Sequence, residues 1–260
     1  MNAEVFLDLL RSIVLFTVVV LSVIRIRQRK GKLCMVFFAM AVSSLMLSEI
    51  YWLVYDSLRP DIRMPFAANE VSEWAFFMLL GVSLSSRSKL GFSESKKEMF
   101  GAVLFAAANV ALWIGWSGEW IQDILTGFVY AYFLGVLVTK IKNEGVLNRL
   151  QWILLYTDCF LLIAGQTAIF LIPEQLGKFV DLSCYVLLFA TCAVFLFAAI
   201  FYNIKKDKHE EAVCYSYSAF AWVATTMYMS ADIFYLMAMF LSIICFPLMY
   251  ISIKREVTEE

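Results

Sequence analysis

Histidine is nearly missing. The 260-residue chain holds one, His209, in the polar segment KKDKHEE. That excludes imidazole metal sites and Ser-His or Cys-His catalysis within the apolar parts of the chain. No P-loop, G-x-G-x-x-G or H-E-x-x-H run occurs, so nucleotide cradles and zincin chemistry have no footing. No lysine sits in the middle of an apolar run, which leaves a retinal-type Schiff base without an anchor. Six cysteines occur, Cys34, Cys159, Cys184, Cys192, Cys214 and Cys245, with no C-x-x-C pair, and all lie in apolar runs. They read as small packing residues. Charge is scarce too: 17% of residues, against about 25% in a soluble domain. The net charge of −1 offers nucleic acid no basic face. No cofactor and no metal ion is implied.

What the chain has instead is apolar surface. Hydrophobic residues make up 62%, where a soluble domain has roughly 45–50%. A soluble fold of this length has no place to bury so much, and lipid solvates it. A crossing needs about 20 apolar residues, from about 30 Å of hydrocarbon at 1.5 Å per residue. The sequence predicts an all-α, polytopic transmembrane helix bundle of about nine spans. They fall near 5–24, 33–55, 66–86, 99–117, 120–139, 150–172, 179–202, 212–230 and 233–253. The last two share one apolar stretch, and Ser230-Ala231-Asp232 is its best turn, because Ser or Asp caps a following helix. Loops are short and no appended soluble segment is evident, so 1–260 reads as a single transmembrane domain.

Charge sets the direction of threading. Arg25, Arg27, Arg29, Lys30 and Lys32 follow the first span, where a cleavable signal would carry its positive charge in front. Further clusters lie at Arg87–Lys97, Lys140–Arg149, Lys205–Lys208 and Lys254–Arg255, in every second loop. The alternate loops carry only Arg59, Arg63 and Lys178, and Arg11 lies within a span. The N-terminus is expected outside and the C-terminus in the cytoplasm. Tyr51, Trp52, Tyr55, Trp113, Trp116 and Trp120 mark outer span ends, where amphipathic rings favour the interface. Pro60, Pro65 and Pro173 fall in outer loops, and Pro247 is expected to kink the last span. The pattern suits a bacterial cytoplasmic membrane.

Acids near the start of each inward-running span, such as Asp8, Glu70, Glu119, Asp181 and Asp232, are accounted for by the helix dipole and orphan amides. Deeper carboxylates are not. A charge at mid-membrane costs about 2.5–3.5 kcal/mol on insertion scales. Glu49, Glu73, Asp123 and Asp158 fall in that class, and Arg11 is the one embedded base. Arg11 and Glu49 share a depth on helices joined by a short loop, so an ion pair is expected between them. An outward-facing pocket lined by Glu49, Asn69, Glu70, Glu73 and Asp123 is the functional expectation, with Tyr51 and Tyr55 nearby and Arg59 and Arg63 at its rim. Asp158, with Tyr156, Thr157 and Gln166 on the same span, is a separate mid-membrane candidate. Four-residue spacing of Ala102 and Ala106, and of Ala107 and Ala111, points to close helix packing, cross-linked by Asn109.

Three functions fit these features. Transport of a small solute or ion by embedded carboxylates is the first. A sensory or regulatory module that binds a ligand outside and a membrane or cytoplasmic partner protein inside is the alternative, with Lys205, Lys206 and Lys208 as the contact. A lipid-modifying enzyme is third, because Asp123 and Asp158 differ in depth and belong to no motif; catalysis is not the expected role.

Overall fold

The computed structural model describes residues 3–30, 33–58, 68–87, 96–117, 120–205, 208–230 and 232–259. They form nine α-helices: α1 Ala3–Arg25, α2 Leu33–Leu58, α3 Ala68–Ser85, α4 Lys96–Ser117, α5 Trp120–Asn143, α6 Arg149–Ile169, α7 Glu174–Ile204, α8 His209–Met229 and α9 Asp232–Glu259. A π-helical turn, Ile26–Lys30, continues α1. No strand occurs among the described residues. Arg59, Pro60, Arg63, Pro65, Glu119 and Lys206 lie outside them.

The helices sit where apolar runs predict them but often run further. Hydropathy marks only the part that lipid solvates, while backbone hydrogen bonding continues to a cap. Thus α7 starts directly after Pro173, at Glu174, and α9 continues past Pro247 to Glu259. The α5–α6 connection turns at Gly145, whose φ of 61° suits glycine. Asn148 then starts α6 with a capping box: its side chain accepts from Gln151 N at 2.9 Å, and Gln151 Oε1 accepts from Asn148 N at 2.8 Å.

Among the described residues, seven helices are long and apolar enough to cross a membrane, and α3 and α8 as described are not. The surface agrees: large apolar side chains are exposed, and several polar ones are buried. Phe128, Phe160 and Leu171 are 70% or more exposed, while Arg11, Glu49, Asn69, Asn109, Gln166 and Asn203 are buried. A soluble protein exposes no such continuous apolar surface, so the chain reads as a multi-pass membrane protein.

The neighbour relations explain the two exceptions. Contacts run α1–α2–α3–α5–α4–α6–α7–α9 and back to α1, with α8 touching α5, α7 and α9. Its side chains also reach α3 and α4, through Phe220 on Phe76 (5.3 Å between ring centroids) and Trp222 on Phe105 (6.4 Å). The other eight helices thus close a ring, and α8 packs against at least five of its members. Every residue of α8 from Ala212 to Thr226 is buried. A helix ringed by protein needs no lipid-facing stripe and tolerates hydroxyls. Ser216, Ser218, Thr225 and Thr226 each donate to the carbonyl four residues back. On α3 the apolar residues Phe76, Phe77, Leu80 and Leu84 turn inward, and Glu70 and Glu73 lower its hydropathy.

At the end carrying the basic loops, Glu210 of α8 lies 3.1 Å from Arg87 at the end of α3 and 3.3 Å from Lys140 of α5. Lys142 pairs with Glu98, joining α5 to α4. Nearly two turns further in along α8, Asn203, Ser216 and Ser252 hydrogen-bond mutually at 2.8–3.2 Å and join α7, α8 and α9. On α4, Ala102 and Ala106 are buried and Ala107 and Ala111 exposed. Asn109 does not cross-link: its amide donates to Phe105 O of its own helix at 2.8 Å, which satisfies that donor more locally.

Candidate ligand-binding pocket

A cavity of about 330 Å³ lies toward the end opposite the basic loops, between α1, α2, α3, α8 and α9. Each wall is a helical stripe already visible as spacing. On α1, Glu4, Asp8 and Arg11 are four and three residues apart; on α2, Leu45, Glu49 and Trp52 repeat likewise; on α3, Glu73, Phe76 and Phe77 do the same. Phe220, Ala224, Met227 and Tyr228 form the α8 stripe, and Tyr235 comes from α9.

The polar groups converge at one level. Arg11 Nη1 lies 2.7 Å from Glu49 Oε1, both side chains buried. The guanidinium also stands 6.0 Å from the Phe246 ring centroid. Ser48 donates to Glu73 Oε1 at 2.9 Å, and the Tyr228 hydroxyl reaches Glu73 Oε2 at 3.5 Å. These donors to Glu73 are uncharged. Consecutive residues Ser48 and Glu49 thus connect the two carboxylates: one helix turn serves the ion pair and the hydrogen-bonded acid together. Among the described lining residues, Glu4, Asp8, Glu49 and Glu73 face the single guanidinium of Arg11. Below the polar level, Phe76, Phe77, Phe220 and Phe246 close the floor with ring centroids 5.1–6.4 Å apart.

Of the residues singled out in the sequence, Arg11, Glu49 and Glu73 meet here. Asn69, Glu70 and Asp123 do not line the cavity. Asn69 is buried elsewhere on α3. Glu70 and Asp123 each lie one turn from the hydrogen bond that Trp74 Nε1 gives Thr126 Oγ1 at 2.9 Å, on the α3–α5 seam. Tyr51 and Tyr55 stack on each other at 6.2 Å, and it is Trp52 between them that faces the cavity. Asp158 does not line the cavity either. It accepts from Thr191 of α7 at 3.1 Å, while Thr157 bonds Ile153 O of its own helix.

Sequence reading passed over Asp8, Trp52 as a lining residue, Tyr228 and Tyr235. Asp8 had a sufficient explanation as a first-turn acid. Its spacing of three from Arg11 was the available signal for the shared face. Nothing in the sequence brings Tyr228 to Glu73, 155 positions away. Among the described residues no three His, Cys, Asp or Glu side chains converge so as to hold a metal ion. The arrangement is instead a roomy acidic cavity with aromatic walls, suited to a charged organic group. No protein-family model, no curated protein and no solved structure matches this chain.

Proposed function

We propose that the protein binds a small organic cation from the outer side of the membrane, as the first step of its transport. The observation that carries this is Glu73, a carboxylate lining the cavity and hydrogen-bonded by neutral donors beside a neighbouring acid that already has its guanidinium. A cation entering there finds a carboxylate that need not surrender an ion pair. Trp52, Tyr228 and Tyr235 line the cavity, and aromatic rings attract ammonium groups over their faces by about 0.5–2 kcal/mol each. A bare metal ion would want several oxygens at close range, and that convergence is lacking among the described residues.

The test is thermal unfolding of the purified protein in detergent, with a series of primary amines and quaternary ammonium ions. At a concentration one hundred times its dissociation constant, a ligand of the native state stabilises by about 2.7 kcal/mol. The expected result is an upward shift of the midpoint that Glu73→Gln removes. No shift with any of these cations, or an undiminished shift in Glu73→Gln, overturns the reading.

One observation favours a sensory role over transport. Packed aromatic rings lie beneath the polar level, and α8 links the pocket residue Tyr228 to the charge cluster at Glu210. The two are about 27 Å apart, at 1.5 Å per residue. Uptake into proteoliposomes separates the two: flux of the bound cation supports transport, and binding without flux supports sensing.

A further inference from the structure

A second cavity, of about 360 Å³, lies between α4, α5, α6 and α8, with Phe195 of α7 also in its wall, and shares no residue with the first. The two touch α8 on different faces: Phe220, Ala224 and Tyr228 line the outer pocket, Ala221, Trp222 and Thr225 the second. Along α4 the lining runs from Glu98 to Ala108, ten residues or about 15 Å. That is close to one leaflet of a hydrocarbon core about 30 Å thick. The slot starts at the basic end and stops near mid-membrane, where the Tyr130 hydroxyl is already bonded to Thr225 and to Ala221 O. Its walls are almost wholly apolar. Leu104 and Phe160 on its rim are 61% and 70% exposed, so it opens sideways to the surrounding lipid.

The mouth has its own chemistry. Trp152 and Tyr156 stack there at 5.7 Å, as amphipathic rings do at headgroup level. Glu98, the one acid in the lining, is paired with Lys142, and Glu144 is paired with Lys140. Exposed Lys97 lies four residues before Gly101 and so on the slot face of α4. Exposed Arg149 lies three before Trp152 on the slot face of α6. Two cations thus flank the entrance after the acids are accounted for.

We propose that this slot holds one acyl chain of an anionic phospholipid, with the headgroup phosphate between Lys97 and Arg149. The depth, the lateral opening and the charge at the mouth together select a bilayer lipid over a soluble ligand. Cytoplasmic leaflets supply such headgroups. The proposal is independent of the outer pocket.

Gly101 provides the test, because a Cβ added there meets nothing within 4 Å. Gly101→Phe is expected to put a ring into the slot from a position where the Cβ itself has room, and it replaces a poor helix former. Native mass spectrometry would be run on protein extracted from vesicles of equal phosphatidylglycerol and phosphatidylcholine. The wild type is expected to retain one phosphatidylglycerol, Gly101→Phe to lose it, and Lys97→Gln with Arg149→Gln to retain either lipid without preference. Should Gly101→Phe unfold, Ala108→Leu at the deep end carries the same expectation. Equal retention of both lipids by the wild type, unchanged retention in the filled variant, or a lipid-free dimer covering the slot would overturn the proposal.

Discussion

Glu49 and Glu73 are neighbours across one cavity and play different parts, because their partners differ. Glu49 has its charge matched by Arg11 at 2.7 Å with both side chains buried. Removing one member of a buried pair costs about 3–5 kcal/mol, since the other charge remains without water or counterion. Glu49→Ala is therefore expected to lower the unfolding midpoint in detergent sharply. The double variant Arg11→Met with Glu49→Leu should recover most of the loss, and a double variant no better than the single would show that the pair is not what the mutation disturbs. Glu73→Gln keeps its size and hydrogen-bonding reach, so its expected effect falls on cation binding and not on folding. Asp158→Asn is expected to leave that binding unchanged, because its hydrogen-bond partner Thr191 lies on the α6–α7 seam; lost binding with normal stability would place Asp158 in the site after all. At this scale the sequence was informative about cost. The price of a buried charge picked out Arg11, Glu49 and Glu73 together, but the same argument picked out Asp123 and Asp158, which stand elsewhere. Insertion cost depends on depth, and depth does not say which way a helix faces.

Among the helices, α4 and α5 pack where glycine permits close approach. A Cβ on Gly127 would collide with Val110 of α4, whose branched side chain has little room to turn. Gly127→Ala should destabilise by about 1–3 kcal/mol through forced repacking. Gly101→Ala, in open space on the neighbouring helix, should instead stabilise by about 0.5–1 kcal/mol. Equal effects of the two substitutions, read from unfolding midpoints, would contradict the α4–α5 packing. Most of the helices themselves were legible from hydropathy, as was the break between α8 and α9 at Ser230, although the Ser230 hydroxyl donates back to Thr226 O and does not cap α9. The ends were less so, because capping by Asn148 or a start after Pro173 concerns hydrogen bonds outside the hydrocarbon. The small-residue pattern on α4 identified a packing face without saying which: Ala102 and Ala106 turn inward, and Ala107 and Ala111 face out.

For the whole molecule, the enclosure of α8 by its neighbours accounts for a sequence that is apolar almost everywhere and least so in this most buried helix. Alternation of basic loops predicts that Asn143 lies on the cytoplasmic side and Gln175 outside, both exposed. In intact cells a membrane-impermeant maleimide should label Gln175→Cys and not Asn143→Cys; the reverse pattern would invert the threading. The native cysteines are buried or partly buried, which keeps the background low.

Composition and periodicity determined by themselves that this chain is a helical membrane bundle, where its helices run, and that charge sits inside it at a cost. Those properties are local: they depend on the transfer of short segments from water to lipid. Tertiary structure alone decided that Glu73 meets Tyr228, that Asp8 shares a cavity with Glu49, and that α8 is surrounded by protein. Rotation of each helix about its axis and the order of neighbours around α8 settle such contacts. In lipid a polar face and an apolar face differ mainly in what they touch, and a single sequence does not encode that partner locally.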